Sequence, residues 1–397
     1  MKKQIAIIGA GASGLIAAIN AAKKGLLVHL YEKNHKVGRK ILATGNGKCN
    51  ISNLNISQIN YHGKNSSFIK TAMKVFDNNQ EKKFFSNLGI ELIKGKSTKL
   101  YPMSRQASSV VDFLLFEAQR VGVKIILSSE IDKIEKKNSK FIINSESYQS
   151  ILIATGSYAM PNLGSSESGY TLAKSFKHTI IKPFASLTQL ISNDRIFYEA
   201  SGVKIESNLE LLVNGKKKQS IYGDLLFTNY GLSGSAILDL SRNASFALQQ
   251  NQKVTIKIDL LPHIELKELI TLLQKRLYLL KYQTPNLWLN GIINKKLTNI
   301  ILKKAKIIKQ NINQRNIKDI ASIIKNLEVN IHDTKGAKGA EVMAGGINTD
   351  EINPQTMESK LVKGLFFSGE VVDIDGDCGG YNLHWAWASG FLAAQNM

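Results

Sequence analysis

The chain begins with apolar runs that are separated by a glycine-rich turn. Residues 5–8 form a short apolar run, which is typical of a strand buried in a parallel sheet. Apolar residues between 17 and 22 predict a helix, and residues 27–31 predict a second strand. The pattern therefore predicts a strand–helix–strand unit in which the glycines of GAGASG occupy the turn after the first strand.

The middle of the first half continues this mixture of helix and strand. Residues 107–121 predict a helix, and residues 124–127, 131–135 and 140–144 predict the strands of a small β excursion. Residues 151–154 are wholly apolar, so they predict a return of the chain to the buried sheet.

The pattern changes near residue 182. Short alternating runs such as LELLVNG and KVTIKIDLL predict strands, whereas ELKELITLLQKRLYLL and NIILKKAKIIKQ have helical periodicity. A strand at 365–368 and a helix that starts near Gly379 close the chain. We therefore predict an α/β protein with a discontinuous domain and two insertions. The parts are residues 1–185 with 335–397, a β-rich domain of residues 186–263, and a basic helical insert of residues 264–334.

The glycine-rich turn has the spacing of a dinucleotide-binding fingerprint. Gly9 permits the tight turn, Gly11 lets a pyrophosphate approach the backbone, and Gly14 lets the helix pack closely on the strand. Ser13 lies in the same turn, and the start of the helix offers unpaired N–H groups to phosphate. These four residues are predicted to bind a cofactor.

Glu32 follows the second predicted strand at the place where a ribose-binding acid belongs, about 20 residues after the glycines. A carboxylate there accepts a hydrogen bond from a ribose hydroxyl and repels a 2′-phosphate. The unit therefore predicts a site for FAD or NAD and disfavours NADP.

Two later strand ends can complete a site for FAD. Thr155 and Gly156 follow the strand at 151–154, and small residues there let the backbone approach a nucleotide. Glu370, after Gly369, can bond ribityl hydroxyls, and the last helix can stabilise negative charge on the flavin with its N-terminus. The predicted residues of that last region are Gly369, Glu370, Gly379, Gly380, Tyr381 and Asn382.

Length and composition indicate a globular protein. The chain has 397 residues, and single cores stop growing at about 250 to 300 residues, so we expect two or three domains. No apolar run reaches the roughly 18 residues of a membrane span, so we expect no membrane insertion. Lys2 and Lys3 before an apolar stretch would also suit a signal peptide, but Glu32 and the second strand complete the unit around the glycines, so we expect a cytoplasmic location. Cys49 and Cys378 are the two cysteines, too few for a disulfide framework, and no CxxC or histidine cluster predicts a metal site.

The net charge of +21 is the unusual feature of the composition. Such a charge favours polyanionic partners, either nucleic acid or an acidic membrane surface. Residues 264–329 concentrate it, with thirteen Lys or Arg against four Asp or Glu. Two alternatives to a binding role remain. A codon bias toward A and T would enrich Lys, Ile and Asn together, and a charged helix face can simply be solvated.

Four motifs occur in order along the chain: GRKILATGNGKCNISN, ILIATGSYAMPNLGSSESGYTLA, LLFTNYGLSGSAILDLS and TMESKLVKGLFFSGEVVDIDGDCGGYNLHWAWASG. With them the chain resembles FAD-dependent flavoproteins of the BaiN/YhiN type, also called the aminoacetone oxidase family. The resemblance implies a glutathione-reductase-like Rossmann FAD domain with an inserted β-barrel and helical domain. Ser235 stands where the family pattern has proline, and Cys378 stands where it has threonine.

The resemblance also implies roles for the GRKILATGNGKCN run, which would cross from the ribose toward the flavin. Arg39 and Lys40 would then contact the diphosphate. Cys49 would lie near the flavin ring and could donate a proton to a substrate carbon, which makes it the candidate catalytic residue. The alternative is that Cys49 is a small apolar residue of the core.

The family resemblance implies three chemistries: oxidation of a small amine, reduction of an enone in steroid-like acids, and reduction of a uridine in large-subunit ribosomal RNA to dihydrouridine. We expect the last, because the basic charge suits RNA phosphates. The alternatives are a small-molecule oxidase or enone reductase, and a flavin-bearing RNA-binding protein with a structural role. The chain has no second GxGxxG, so NADH or NADPH is expected to visit the flavin only transiently as electron donor.

Overall fold

The computed structural model describes residues 2–95, 97–280, 284–307 and 312–397. The described chain divides into two compact units. The first unit contains Met1–Phe184 and Glu341–Met397, and the second contains Ala185–Ala340. The second unit is therefore an insertion in the sequence of the first.

Helices occur in both units of the described chain. They are α1 (Ala12–Lys23), α2 (Arg39–Ala43), α3 (Lys70–Val75), α4 (Asn78–Asn87), α5 (Ala107–Arg120), α6 (Ser168–Ser175), α7 (Ser235–Gln249), α8 (Leu266–Leu279), α9 (Pro285–Asn290), α10 (Lys295–Lys304), α11 (Gln314–Lys325), α12 (Gly336–Gly339) and α13 (Tyr381–Asn396). Short 3-10 turns occupy Thr44–Gly47, Gln58–Asn60, Ser66–Ile69, Pro161–Leu163, Arg195–Ala200, Thr349–Glu351 and Gly369–Val371.

Strands also occur in both units of the described chain. They are β1 (Gln4–Ile8), β2 (Leu27–Tyr31), β3 (Ser52–Asn53), β4 (Tyr61–His62), β5 (Leu92–Lys94), β6 (Lys99–Pro102), β7 (Lys124–Ile126), β8 (Glu135–Lys137), β9 (Lys140–Ile143), β10 (Glu146–Tyr148), β11 (Ser150–Ile153), β12 (Ile180–Ser186), β13 (Leu190–Ile191), β14 (Lys204–Val213), β15 (Lys216–Phe227), β16 (Gly231–Ser233), β17 (Val254–Asp259), β18 (Leu327–Ile331), β19 (Asp333–Thr334), β20 (Val342–Ile347), β21 (Leu365–Phe367) and β22 (Asp375–Gly376).

A parallel sheet with the strand order β21-β11-β1-β2-β7 forms the centre of the first unit. The side chains of Ile5, Ala6 and Ile7 in β1 have no exposed surface, as expected for a strand covered on both faces. Helix α1 connects β1 to β2, and α13 packs against α1. The Rossmann architecture predicted from the first 32 residues is thereby confirmed.

The second unit contains an antiparallel sheet with the order β18-β17-β14-β15-β16-β13-β19. Its two edge strands, β18 and β19, are separated in the chain by His332 alone. β18 pairs with β17 at one end of this order, and β19 pairs with β13 at the other. The sheet therefore curls until its edges meet at one bent segment, which agrees with the predicted β-barrel.

The predicted β-rich and helical inserts lie together in this second unit. Their buried side chains belong to one hydrophobic core that includes Leu209 and Ile256 of the sheet and Leu269, Ile300 and Ile317 of the helices. The helices bury their apolar faces in the core that the strands also use, so residue 264 does not begin a separate compact unit.

Three local predictions differ from the structure. Residues 131–134 pair with no strand in the described chain, and the strand begins at Glu135 instead. The helix predicted over residues 299–310 is α10, which ends at Lys304, and residues 308–310 lie outside the described residues. The prediction of short strands from residue 182 onward omitted α7, whose core-facing side includes Ile237 and Leu240. Sequence pattern alone does not separate such short apolar runs.

No helix in the described parts of the chain is both long and apolar enough to cross a membrane.

The packing of α1 onto the turn after β1 generates a stability prediction. A Cβ built on Gly14 would overlap the carbonyl oxygen of Gly9, which is backbone and cannot rotate away. Gly14→Ala should therefore lower the free energy of unfolding by about 1 to 3 kcal/mol, as overpacking does. Urea unfolding of the cofactor-free protein measures this change.

Gly11→Ala is the matched control, because a Cβ at Gly11 would meet no atom within 4 Å. Its loss of stability should be clearly smaller than that of Gly14→Ala. Equal stability of the two variants would contradict the close packing of α1.

Candidate functional site

The three glycines of the turn between β1 and α1 have different surroundings. Gly9 has φ +104°, and a Cβ there would lie 2.5 Å from the carbonyl oxygen of Ala154. Gly14 is closed off by the backbone of Gly9, whereas the space beside Gly11 is open. Packing therefore requires Gly9 and Gly14, and Gly11 leaves room for a ligand at the start of α1.

The start of α1 offers hydrogen-bond donors to that open space. Gly11 is the N-cap and supplies no side-chain bond, so the first N–H groups of the helix have no partner within the helix. Ser13 is buried, and its hydroxyl lies against Gly369, because a Cβ at Gly369 would be 2.6 Å from Ser13 Oγ. The open side of the turn is thus lined by backbone, which suits a diphosphate.

Glu32 is buried at the end of β2 and touches the same turn. Its Oε2 accepts a 2.9 Å hydrogen bond from the backbone N–H of Ala10. Its Oε1 accepts from the backbone N–H and the side-chain amide of Asn34, at 2.9 and 2.6 Å. These bonds hold the carboxylate beside the glycine turn, where a ribose hydroxyl can reach its remaining lone pairs.

The C-terminal ends of β1, β11 and β21 meet at one edge of the sheet, because these strands are parallel neighbours. Thr155 and Gly156 follow β11, and Gly369 and Glu370 follow β21. Gly156 has φ +71° and open space beside its Cα. The structure therefore brings these four predicted residues to the edge that also carries the glycine turn.

Glu370 is held by three donors at this edge. Lys40 Nζ lies 2.8 Å from Oε2, while Ser157 Oγ and the backbone N–H of Met343 donate to Oε1 at 2.5 and 2.9 Å. Lys40 was expected to contact a diphosphate, but its ammonium is paired with this carboxylate. Lys40 therefore acts in this structure by fixing Glu370.

Arg39 is also engaged by neighbouring groups. Its Nη1 donates to Oδ1 of Asn34 at 2.8 Å, and its Nη2 donates to the carbonyl oxygen of Asn162 at 3.3 Å. Because Asn34 also donates to Glu32, the guanidinium is linked to that carboxylate through one amide. Asn34 therefore orients both charged residues, and no sequence motif predicted this role.

The loop before α13 is compact. Gly380 has φ +100°, and a Cβ there would overlap the carbonyl oxygen of Ser52. Asn382 accepts a 2.8 Å hydrogen bond from the N–H of Gly376 and donates one of 2.8 Å to its carbonyl oxygen. Tyr381 is the first residue of α13. The side chain of Asn382 thus stabilises the loop through two hydrogen bonds to Gly376. The backbone N–H groups at the start of α13 can then interact with a ligand.

Cys49 does not have the surroundings of a catalytic acid. Its side chain has no exposed surface, and burial raises the pKa of the thiol to about 12, although a hydrogen bond with Thr44 acts in the opposite direction. A group without exposed surface cannot touch a substrate unless the protein rearranges. The structure therefore favours the core role that the sequence analysis left open for Cys49.

Cys49 and Cys378, which both lie in the described chain, form no disulfide. Within the described ranges, no group of three or more His, Cys, Asp or Glu side chains is arranged to hold a metal ion.

A buried polar network supports the start of α13 and was not predicted. His384 Nδ1 lies 2.9 Å from Ser52 Oγ and 3.2 Å from Glu81 Oε1, and neither His384 nor Glu81 has any exposed surface. Gly390, further along α13, has no room for a Cβ because the carbonyl oxygen of Ser13 is too close. An isolated glycine inside a helix is the sequence signal for such an approach.

The basic helices of the second unit contain both paired and unpaired cations. Lys303 Nζ lies 2.5 Å from Glu199 Oε1, and Lys304 Nζ lies 3.8 Å from Asp194 Oδ2. These two lysines, together with Lys306 and Lys309, are the cations that we expected to contact RNA phosphates, and Lys309 lies outside the described residues. By contrast, several exposed cations of this region have no carboxylate partner in the described chain. They include Lys267, Lys275, Arg315 and Lys318.

Together, the first unit offers a glycine turn with open space, a buried acid at the end of β2, and two further strand ends at the same edge. These features fit an adenine dinucleotide that extends across the sheet edge. The fit does not depend on a metal or on either cysteine.

Comparison with known proteins supports this assignment. Residues 3–396 match the family described as HI0933-like protein Rossmann domain. The chain is 34% identical to a 3-dehydro-bile acid delta(4,6)-reductase of Clostridium scindens, over 99% of this chain and 98% of that protein. It is 32% identical to a ribosomal RNA dihydrouridine synthase of Haemophilus influenzae and 31% identical to one of Escherichia coli, in each case over 98% of this chain and 97% of that protein. The chain therefore belongs to the HI0933-like family, a family of FAD-dependent oxidoreductases with a Rossmann domain.

Proposed function

We propose that this chain reduces a carbon–carbon double bond conjugated to a carbonyl, and that its substrate is a uridine of large-subunit ribosomal RNA. The observation that carries the reaction type is that its relatives are named for two such reductions, in a 3-dehydro-bile acid and in a uridine. FAD, when bound, supplies hydride from N5 to the β carbon, and a proton completes the addition at the α carbon.

The first unit would hold the cofactor with groups that are already fixed. Backbone N–H groups at Gly11 would bind the diphosphate, and Glu32 would accept a hydrogen bond from the adenosine ribose. Glu370, kept in place by Lys40 and Ser157, has lone pairs left for ribityl hydroxyls. The groups need little rearrangement on binding, which lowers the cost of association.

Charge supports RNA as the substrate. The net charge is +21, and a protein that binds RNA gains much of its affinity by neutralising phosphates. Exposed cations without carboxylate partners, such as Lys267 and Arg315 in the described residues, are free to make such contacts. A small carboxylic acid would use only one or two of them.

The second candidate is an enone reductase acting on a small steroid-like acid. The 34% identity with the bile-acid reductase over nearly the whole chain favours this candidate. A small-molecule oxidase is the remaining alternative in the same class. The reductases would share the hydride step with the RNA enzyme, so substrate binding and product identity distinguish them.

Electrons would come from NADH or NADPH. The chain contains one GxGxxG fingerprint, which the FAD site uses, so the nicotinamide nucleotide would bind only while it reduces the flavin.

The contacts of Glu32 generate a cofactor-binding prediction. The purified protein should be yellow with noncovalent FAD, and Glu32→Ala should weaken FAD binding by about 1 to 3 kcal/mol, because a charged acceptor is lost. Glu32→Gln, which keeps one acceptor oxygen, should lose less. Fluorescence titration of the cofactor-free protein with FAD measures both. Unchanged affinity in Glu32→Ala would mean that the adenosine binds elsewhere.

The proposed reaction predicts a specific change in ribosomal RNA. Deleting the gene should remove one dihydrouridine from large-subunit ribosomal RNA, and mass mapping of RNA fragments detects the 2 Da difference between uridine and dihydrouridine. Wild-type protein supplied in the deletion strain should restore it. Identical maps with and without the gene would reject the RNA substrate and favour the enone reductase.

Surface cations with and without carboxylate partners should affect RNA binding differently. Replacing Lys267, Lys275, Arg315 and Lys318 by Ala should weaken binding to a ribosomal RNA fragment. Each lost phosphate contact should reduce the slope of the logarithm of the binding constant against the logarithm of salt concentration by roughly 0.7 to 0.9. Filter binding at several salt concentrations measures both quantities.

Lys303→Ala with Lys304→Ala is the matched control for this set, because these two lysines face Glu199 and Asp194. It should change RNA affinity less, and both sets should leave FAD content unchanged. A larger effect from the paired lysines would show that RNA displaces those carboxylates.

A further inference from the structure

A lysine lies against the loop that precedes α13. Lys99, the first residue of β6, pairs with Asn53 of β3. The Asn53 side chain donates a 3.0 Å hydrogen bond to the carbonyl oxygen of Gly379. A Cβ built on Gly379 would lie 3.7 Å from Cε of Lys99 and 3.3 Å from Nδ2 of Asn53. The β3–β6 ribbon therefore carries the Lys99 side chain to the backbone of this loop.

The charge of Lys99 is not neutralised by a contact. Among the described residues, no carboxylate forms an ion pair with it, whereas Lys40 is paired with Glu370. Glu341 interacts electrostatically with both lysines without forming an ion pair in the described chain. Desolvation raises the pKa of the Glu341 carboxyl, although part of this residue is accessible to solvent, and Lys99 and then Lys40 oppose that rise.

The position of Lys99 places two positive features together. Its ammonium group lies near the start of α13, where the helix dipole is also positive. Like charges in proximity are unfavourable unless an anion joins them. The loop at Gly379 therefore favours negative charge on whatever ligand binds there.

We propose that Lys99 tunes the cofactor: its ammonium stabilises the negative charge that FAD gains at its N1 and C2-carbonyl edge on reduction. The inference rests on the FAD binding of the proposed function and is independent of the substrate. Stabilising the reduced form relative to the oxidised form raises the reduction potential, which makes transfer of hydride from a nicotinamide nucleotide to the flavin more favourable.

The test is the midpoint potential of the FAD-loaded full-length protein, measured by equilibration with a redox dye. Lys99→Met should weaken binding of reduced FAD relative to oxidised FAD about tenfold, which is a fall of about 30 mV for a two-electron couple. Lys99→Arg keeps the charge and should retain most of the wild-type potential.

Lys94→Met is the matched control, because Lys94 is exposed on the neighbouring strand β5 and has the same charge. Its potential should equal that of the wild type. A second readout is the pH at which reduced FAD takes up a proton at N1, followed by absorbance. That pH should rise in Lys99→Met and stay constant in Lys94→Met. Lys99→Gln serves as the neutral variant if Lys99→Met does not fold.

The outcomes are distinct. One outcome is a neutral Lys99 variant that binds FAD with the same midpoint potential, and the same pH of N1 protonation, as Lys94→Met. This outcome would overturn the inference and leave the proposed function intact. Wild-type protein that takes up no FAD would overturn both. A selective fall in potential with unchanged RNA binding would support the role of Lys99 alone.

Discussion

The first unit depends on one close approach of backbone to backbone. Gly14 in α1 lies so near the carbonyl oxygen of Gly9 that no side chain fits, and Gly9 in turn lies against Ala154 at the end of β11. Steric exclusion of Cβ atoms therefore fixes where α1 starts relative to two strand ends. Gly390 repeats this principle where α13 meets α1 at Ser13. Close packing of these glycines leaves Gly11 as the open position at which a phosphate can approach.

Charged groups around this site are held by one another before any ligand arrives. A carboxylate withdrawn from water is unfavourable without donors, and the buried Glu32 and the partly buried Glu370 each receive several. Lys40 satisfies Glu370, so that lysine and carboxylate form a fixed pair. Lys99 lacks such a pair in the described chain, so no contacting carboxylate neutralises its charge.

The insertion has a different physical organisation. Its sheet closes through the bend at His332, and its helices complete the core of that sheet, so strands and helices stabilise one unit. The net charge does not by itself describe its surface, because Lys303 and Lys304 are partly neutralised by carboxylates. The number of unpaired cations, rather than the total charge, bears on binding to a polyanion.

The sequence by itself determined the strand–helix–strand unit, the glycine turn and the place of Glu32, because periodicity and glycine spacing act over a few residues. It assigned 131–134 to a strand and omitted α7, because local pattern does not show whether a segment finds a pairing strand or packs as a helix on a sheet. Only the tertiary structure decided that Lys40 pairs with Glu370, that Cys49 has no exposed surface, and that both inserts share one core. Each of these depends on partners far apart in the chain, and local pattern carries no information about which distant groups meet.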